Sequence, residues 1–358
     1  MYHSCSKIQR FHMNFAWRID TGEKCIRLCT EPLPDTPGVA LCETAEESIL
    51  SFAKLRADMI AESKIISQSS KHEADENRVF TSECAKCSNS VLKDWDGGDG
   101  KVHYINLSME PAPCQGRCIY CDVHNGDRGL FNKRNHAGYY ERVFEAIKWA
   151  KKHGMIAADA KWQVSSNEIT VHPYKDIIFE LVSGQATTFF TNCFIYNESI
   201  AANLAANPRS SINFSIDSGT AETWLEIKGS DNFEAVVGNL KKYSASCVHP
   251  AQMTLKYIIF PGINDSMKDY LALAEIMMGL GVRHLTIACD LRPGSNKYSC
   301  GKEKREPLIC AAGRLIAVLS GSEMTMNMSE NGFLPNEAEE AKAQADEILR
   351  LGKDHKFG

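Results

Sequence analysis

Short apolar segments alternate with longer helical stretches from residue 102 to residue 289, and this order is the strongest constraint on the fold. The strand candidates are residues 102–109, 162–167, 186–192, 211–217, 254–260 and 284–289. Several of the helical stretches between them end in glycine, as helix C-termini often do. Strands that alternate with helices form parallel sheets joined by crossover helices. The order therefore predicts an α/β fold.

The regions that flank this alternation have a different character. The first hundred residues mix strand-like and Pro-rich segments with a helical stretch that opens on Thr44 and Glu47, a capping-box pair. A polar, turn-rich DWDGGDGK then marks a junction. We predict an N-terminal α+β extension over 1–100, a parallel α/β domain over 101–295, and a C-terminal segment with a terminal helix over 296–358.

Composition narrows the classes of partner and compartment. Hydrophobic residues make up 44% and charged residues 24%, as in soluble globular proteins. A net charge of -5 without a basic block disfavours nucleic acid. No segment has a signal-peptide core or the apolar length of a membrane span. We predict a cytoplasmic protein without nucleic-acid or membrane partners. Its 14 cysteines are a high count for that compartment, where clustered thiols are more often metal ligands than disulfides, so their spacing decides.

Three cysteines share one short loop directly after the first strand of the alternation. Cys114, Cys118 and Cys121 are spaced three and then two residues apart in EPAPCQGRCIYCDV. Three thiolates can hold an iron–sulfur cubane and leave one iron without a protein ligand. A zinc site is the alternative, with His103 or His124 as its fourth ligand. The spacing favours the cluster and leaves both readings open.

This loop resembles the signature of the radical S-adenosylmethionine (SAM) superfamily, which has this spacing and an aromatic residue, here Tyr120, before the last cysteine. The resemblance extends over residues 103–290 and implies a partial (β/α)6 barrel of the TIM type. It implies that Cys114, Cys118 and Cys121 hold a [4Fe–4S] cluster that cleaves SAM reductively. The 5′-deoxyadenosyl radical would then abstract hydrogen from an organic substrate, and an external one-electron reductant such as flavodoxin or ferredoxin is also implied.

Further residues match the superfamily at the ends of later strands. Asn167 and Glu168 stand where the family carries a Gly-Gly-Glu-type segment that hydrogen-bonds the cofactor's ammonium, with Asn167 in place of a glycine. Asn192 belongs to a Thr-Asn ending that lies near the cofactor. Ile263 follows Pro-Gly in an ending whose apolar residue lies against adenine. The resemblance thus implies that these residues, together with Tyr120, contact SAM.

The fourth strand alternates polar and apolar residues. Asn213, Ser215 and Asp217 fall on one face and the intervening apolar residues on the other. In a small barrel the C-terminal ends of the strands form the active face. We expect Ser215 and Asp217 to contact the ribose or carboxylate of the cofactor, and Asp217 to be equally suited to cap the next helix.

Two residues are candidates for a catalytic role. Lys256 lies in the middle of the fifth strand, and a buried lysine needs a partner, either Asp217 or the substrate. Cys289 ends the sixth strand, where a thiol can donate a hydrogen atom to a substrate radical. The alternative for Cys289 is a packed, inert cysteine.

A second metal site is predicted ahead of the barrel. Cys84 and Cys87 have the separation of a metal knuckle, and Cys25 and Cys29 complete a four-thiolate set. Such a set would hold zinc or an auxiliary iron–sulfur cluster. The alternative is that Cys25 and Cys29 are core residues and that the other two are reduced loop cysteines.

Two functions follow from these patterns. The first is a radical SAM enzyme whose substrate is a small metabolite rather than a peptide or protein, because the C-terminal segment lacks the clustered cysteines of peptide-modifying members. The alternative is a non-catalytic zinc or iron–sulfur scaffold or electron-transfer protein. Zinc without iron or sulfide at the cysteine triplet would favour this alternative, and 5′-deoxyadenosine formed by the reconstituted protein would favour the enzyme.

Overall fold

A computed structural model describes much of the chain. The described residues are 2–17, 24–28, 38–66, 90–93, 98–107, 113–121, 137–165, 168–290, 302–320, 324–329 and 332–354. They fall into two compact units, one made of Met1–Pro113 with Phe131–Thr188 and the other of Cys114–Leu130 with Phe189–Gly358. The predicted domain boundaries stay predictions.

The first unit combines the N-terminal extension with the opening strands of the alternation. Its strands are β1 (Tyr2–Cys5), β2 (His12–Trp17), β3 (Lys24–Arg27), β4 (Gly38–Ala40), β5 (Ser90–Lys93), β6 (Val102–Leu107) and β7 (Ile156–Val164). Its helices are α1 (Ser6–Gln9), α2 (Ala45–Ile66), α3 (Ala137–Lys152) and α4 (Lys175–Val182). The sheet runs β4-β3-β2-β6-β7, while β1 and β5 form a separate antiparallel pair. Strand β2 pairs with β6 in parallel, so the extension continues the sheet.

Helix α3 shows why this unit packs as it does. Its buried residues recur at helical spacing: Tyr140, Val143, Phe144 and Ile147. Such spacing puts one apolar stripe against the core. The largest fully buried side chains of the sheet in this unit are Phe15 and Trp162. The core therefore lies between the sheet and its covering helices.

The second unit is built from parallel strands and their crossover helices. Strand β8 (Ala186–Phe190) lies where the units divide, and β9 (Ser211–Ser215), β10 (Met253–Ile259), β11 (His284–Cys289) and β12 (Thr325–Met328) follow in that order across the sheet. The helices are α5 (Glu198–Ala206), α6 (Ala221–Lys228), α7 (Phe233–Ser246), α8 (Met267–Leu280), α9 (Lys302–Leu319) and α10 (Pro335–Asp354). All three pairings from β9 to β12 are parallel.

The α/β class is confirmed, and in neither unit does the described sheet close on itself, as a partial barrel requires. Strand β7 begins at Ile156, ahead of the predicted start at Trp162. Ile156 pairs with Val102 and Lys161 pairs with Tyr104, and Ala-Ala-Asp-Ala forms an irregularity between these two pairings, which the sequence pattern did not indicate. In the described part of the chain, no helix has the length and apolar character to cross a membrane.

The two faces of the sheet in the second unit differ, as the alternation on the fourth strand predicted. Phe214 of β9 packs 6.2 Å from Trp224 of α6, and Tyr257 of β10 packs 6.0 Å from Tyr270 of α8. These residues form the helix-covered face. Ser215, next to Phe214, points to the opposite face and is only partly buried.

Candidate iron–sulfur and SAM site

The cysteine loop, residues 113–121, ends in a tight turn in which the N–H of Cys121 donates to Cys118 O at 3.1 Å. Cys114, Cys118 and Cys121 are all partly buried and none forms a disulfide. A methyl group placed on Gly116 would lie 3.6 Å from Cys118 Sγ and 3.7 Å from Cys114 Sγ. The glycine therefore leaves room between two sulfurs, and the donor set of three accessible thiols fits a [4Fe–4S] cluster with one iron open to another ligand.

Asn192 contacts the cysteine loop directly. Its side-chain Nδ2 donates to Cys114 Sγ at 3.5 Å, and its Oδ1 accepts from the Phe194 N–H at 3.0 Å. Cys193, which follows, adopts a left-handed backbone with φ 54 and is fully buried. This turn at the end of β8 aims Asn192 at the loop, so the residue predicted to lie near the cofactor hydrogen-bonds a predicted cluster ligand.

The C-terminus of α6 holds the cysteine loop through its backbone. The N–H of Arg117 donates to Lys228 O and the N–H of Ile119 donates to Ile227 O, both at 2.9 Å. The last carbonyls of a helix lack partners within the helix, so the loop satisfies them. Gly229 ends the helix with φ 65, and a Cβ there would lie 2.9 Å from Arg117 Cβ. Only glycine suits both this backbone conformation and this close approach.

The aromatic residue of the loop, Tyr120, forms a triad with two buried residues, Asp217 and Lys228. The Tyr120 hydroxyl donates to Asp217 Oδ2 at 2.8 Å, and Lys228 Nζ lies 2.5 Å from the same oxygen and 2.7 Å from the Tyr120 oxygen. Asp217 is fully buried and Lys228 is 3% exposed. The ammonium and carboxylate thus neutralise each other where neither can be solvated.

Asp217 also accepts from the backbone of the neighbouring strand. The N–H of Ile258 donates to Asp217 Oδ1 at 2.7 Å, so both carboxylate oxygens are engaged. The expected pairing of Asp217 with Lys256 is wrong, because Lys228 at the end of α6 takes that place. The direct contact of Asp217 with SAM stays a prediction. What the geometry shows is that Asp217 orients Tyr120, which precedes the last cysteine of the loop.

Burial and the triad charges set the proton affinities around the loop. Burial, followed by the Asp217 carboxylate, holds the pKa of Tyr120 well above its usual range, so the hydroxyl keeps its proton. Burial also raises the pKa of the Cys118 thiol, while the Lys228 ammonium and the Tyr120 hydroxyl oppose that rise. Because a cysteine ligates a cluster as its thiolate, binding of a cluster to Cys118 would displace this proton.

An apolar cluster adjoins the aromatic residue of the loop. Its members are Ile227, Ile258, Phe260 and Ala288, with Ile119, Tyr120 and Ile263 packed against it. The Tyr120 ring stacks on Phe260 with centroids 5.6 Å apart. Ile263 is only partly buried, so this cluster offers an apolar surface beside the cysteines, where the resemblance implies adenine.

The sequence from residue 113 to residue 274 matches the family model of the radical SAM superfamily. The chain carries a radical SAM domain. It is a radical SAM enzyme, and its cofactors are a [4Fe–4S] cluster and SAM.

Solved structures similar to this radical SAM enzyme include SuiB of Streptococcus suis bound to S-adenosylmethionine, at 14% identity and TM-score 0.45 over 88% of this chain and 71% of that one. SuiB bound to the precursor peptide SuiA is similar at 13% identity and TM-score 0.42, over 91% and 72%. A radical SAM methyltransferase from Sphaerobacter thermophilus is similar at 11% identity and TM-score 0.39, over 60% and 62%. Curated protein sequences give no match.

Glu168 lies in the first unit of this radical SAM enzyme and is fully buried. Its Oε1 accepts from the backbone N–H of Thr170 at 3.0 Å and from the Thr170 hydroxyl at 2.7 Å. The carboxylate thereby caps the short 3-10 turn Ile169–Val171. Asn167, predicted beside it, lies outside the described residues. The ammonium contact of Glu168 stays a prediction.

Cys289 lies on the helix-covered face of β11, not on the face of the apolar cluster. It is 3% exposed, and its Sγ lies 3.1 Å from Gly332 O and 3.9 Å from Arg305 Nη1. Because side chains alternate along a strand, Ala288 projects to the cluster and Cys289 away from it. The structure thus does not bring Cys289 together with Tyr120 and Ile263. Burial raises the pKa of its thiol.

The remaining predicted metal ligands are distributed as follows. Cys25 is buried in β3, with the Arg27 side chain 3.3 Å from its sulfur. Cys29, Cys84, Cys87 and His124 lie outside the described residues. His103, the other fourth ligand of the zinc alternative, contacts Asp99 at 2.8 Å. Among the residues that the structure describes, no group of three or more Cys, His, Asp or Glu is arranged to hold a single metal ion.

Proposed function

We propose that Cys114, Cys118 and Cys121 ligate the [4Fe–4S] cluster and that SAM binds beside Tyr120 and Ile263. The observation that carries this proposal is the cysteine loop itself, whose thiols are accessible while its backbone is fixed to α6. When bound, the cluster and SAM would supply the one-electron chemistry that removes a hydrogen atom from the substrate.

The residues around the loop bind and orient rather than react. Asn192 donates to the Cys114 sulfur and disperses its negative charge. Tyr120 presents a ring held by stacking on Phe260 and by its hydrogen bond to Asp217, so the apolar surface for adenine is preformed. Glu168 has a buried carboxylate, which accepts hydrogen bonds only and suits the ammonium of SAM.

We propose a small organic metabolite as the substrate and an external one-electron donor, such as flavodoxin or ferredoxin, as the reductant. The net charge of -5 disfavours nucleic acid as a partner. A second metal at Cys25, Cys29, Cys84 and Cys87, either zinc or an auxiliary cluster, remains part of the proposal. Iron and zinc analysis of variants at these positions tests it separately.

The experiment is anaerobic reconstitution with iron and sulfide, followed by metal analysis and electron paramagnetic resonance of the reduced protein with and without SAM. The C114S, C118S and C121S variants should each lose the cubane signal. The matched control is C247S, because Cys247 is a partly buried cysteine on the C-terminal end of α7. Wild type and C247S should show a spectrum that changes on addition of SAM. Zinc without iron in wild type, or a spectrum that ignores SAM, would contradict the proposal.

A further inference from the structure

A line of polar residues crosses four neighbouring strands of the second unit. Ser215 of β9 pairs with Lys256 of β10, Lys256 pairs with Thr286 of β11, and Thr286 pairs with Asn327 of β12. Directly paired residues of a parallel sheet project from the same face. These four side chains therefore form one continuous group, which we call the polar row.

The polar row lies on the face of the sheet opposite the helices. Along β10, the residues on either side of Lys256 are Leu255 and Tyr257, both fully buried. Along β11, the neighbours of Thr286 are Leu285 and Ile287, which are buried to the same degree. The members of the polar row are themselves only partly buried or exposed. The row is accessible, whereas the opposite face is the packed core.

The polar row lies next to the apolar cluster that adjoins the cysteine loop. Ile258 and Ala288 pair directly with each other and belong to that cluster. They stand two residues beyond Lys256 and Thr286 on their strands, a step of about 7 Å. On this face of both strands, the apolar residues beside Tyr120 are thus followed, two residues toward the N-terminal end of the strand, by the polar row.

Lys256 gives the polar row its charge. Ser215, Thr286 and Asn327 are uncharged hydroxyl and amide donors, so the row carries one positive charge. Within the described part of the chain, Lys256 makes no ion pair, whereas Lys228 is held by Asp217. Lys256 has a hydroxyl donor on each neighbouring strand, and the Asn327 amide lies one strand further along. An ammonium beside such neutral donors is the arrangement that binds an oxyanion by charge-assisted hydrogen bonds.

We propose that the polar row binds an oxyanion group of the substrate, a carboxylate or phosphate, with Lys256 as its charge partner. This inference rests on the proposed function, since it places the substrate one layer from the cofactor. The neutral donors fix the orientation of the anion, and the remainder of the substrate extends toward the apolar cluster. The carboxylate of SAM shares this chemistry, so the test has to separate the two sources.

The probe is inorganic phosphate, titrated into the anaerobic reconstituted enzyme in the presence of saturating SAM and at constant ionic strength. Binding is measured by calorimetry for wild type, K256M, K256R and K241M. Lys241 is an exposed residue of α7 and serves as the matched control. A charge-assisted hydrogen bond contributes about 1.5–3 kcal/mol, so K256M should weaken phosphate binding about tenfold or more. K256R and K241M should stay within about threefold of wild type.

Each other outcome overturns the proposal. Equal phosphate affinity in K256M and wild type would show that the row does not bind the anion. Competition between phosphate and SAM, together with an equal loss of SAM affinity in K256M, would assign Lys256 to the cofactor's carboxylate. Thermal melting of K256M checks that the variant is folded. Failure of the proposed function would instead appear as a wild-type cluster spectrum that ignores SAM, whatever the phosphate titration shows.

Discussion

Two lysines of the second unit show how one residue type serves opposite purposes. Lys228 is 3% exposed and donates hydrogen bonds to both Asp217 and Tyr120, so its charge is neutralised within the protein. Lys256 is only partly buried, and it makes no ion pair with any residue that the structure describes. A buried charge is stable only when it is paired, whereas a partly exposed charge can remain unpaired until a ligand binds. Lys228 therefore stabilises the site, and Lys256 is free to bind a ligand there.

The largest expected effect is the difference in unfolding free energy between the K228M and K256M variants. K228M leaves the Asp217 carboxylate buried without its counter-ion, and loss of one partner of a buried pair costs about 3–5 kcal/mol. K256M removes an accessible side chain and should change the free energy of unfolding by less than about 0.5 kcal/mol. Urea unfolding followed by circular dichroism compares the two variants. Equal destabilisation would remove the distinction between the lysines.

The pairing itself is tested by a double variant. D217N in the K228M background removes the unpaired charge while the amide oxygen still accepts from Ile258. We expect the double variant to be more stable than K228M alone by about 1 kcal/mol or more, because the two residues are coupled. Additive losses in the same urea assay would show that Asp217 and Lys228 act independently.

Gly229 connects Lys228 to the cysteine loop and should be the next most sensitive position. An alanine there meets both a left-handed backbone and a Cβ at 2.9 Å from Arg117 Cβ. The conformational penalty alone is about 1–2 kcal/mol. G229A should lower the urea midpoint and reduce the iron retained after reconstitution. Gly238, where a Cβ meets nothing within 4 Å, is the control: G238A should lower neither the urea midpoint nor the iron content.

Tyr120 tests the triad without removing a charge. Y120F keeps the ring that stacks on Phe260 and deletes the hydroxyl that bonds Asp217 and Lys228. The lost hydrogen bonds should cost about 1–2 kcal/mol of unfolding free energy. Cluster content should stay at the wild-type level, as measured by iron and sulfide analysis. A complete loss of cluster in Y120F would assign the hydroxyl a larger role than orientation.

The smallest effect is expected at Asn192. N192A removes the donor to the Cys114 sulfur, and hydrogen bonds to sulfur raise the reduction potential of a cluster. The potential of the variant, measured by redox titration, should therefore move to more negative values while the unfolding midpoint changes little. A potential equal to that of wild type would show that this contact does not tune the cluster.

The features read correctly from sequence are those set by short-range pattern. The cysteine spacing identified the superfamily, and the alternation of Ser215 with apolar neighbours gave the two faces of β9. The same parity identifies the face of Cys289, which shares the side of the buried Leu285 and Ile287. The burial of Cys289 agrees with the alternative prediction for this residue, a packed cysteine.

Other features depend on how distant segments meet. Lys228 finds Asp217 because α6 ends against the cysteine loop, a contact that no local pattern specifies. Its only sequence signal is a lysine before Gly229 at a helix end. The parallel pairing of β2 with β6 is equally hidden, since register between remote strands is decided by tertiary packing.

The most direct test of the central claim is the formation of 5′-deoxyadenosine from SAM by the reconstituted, reduced enzyme. Wild type and C247S should form it, and C114S, C118S and C121S should not. A protein that holds a full [4Fe–4S] cluster and receives a strong reductant, yet forms no 5′-deoxyadenosine, would contradict the assignment of the cysteine loop as a SAM-cleaving site.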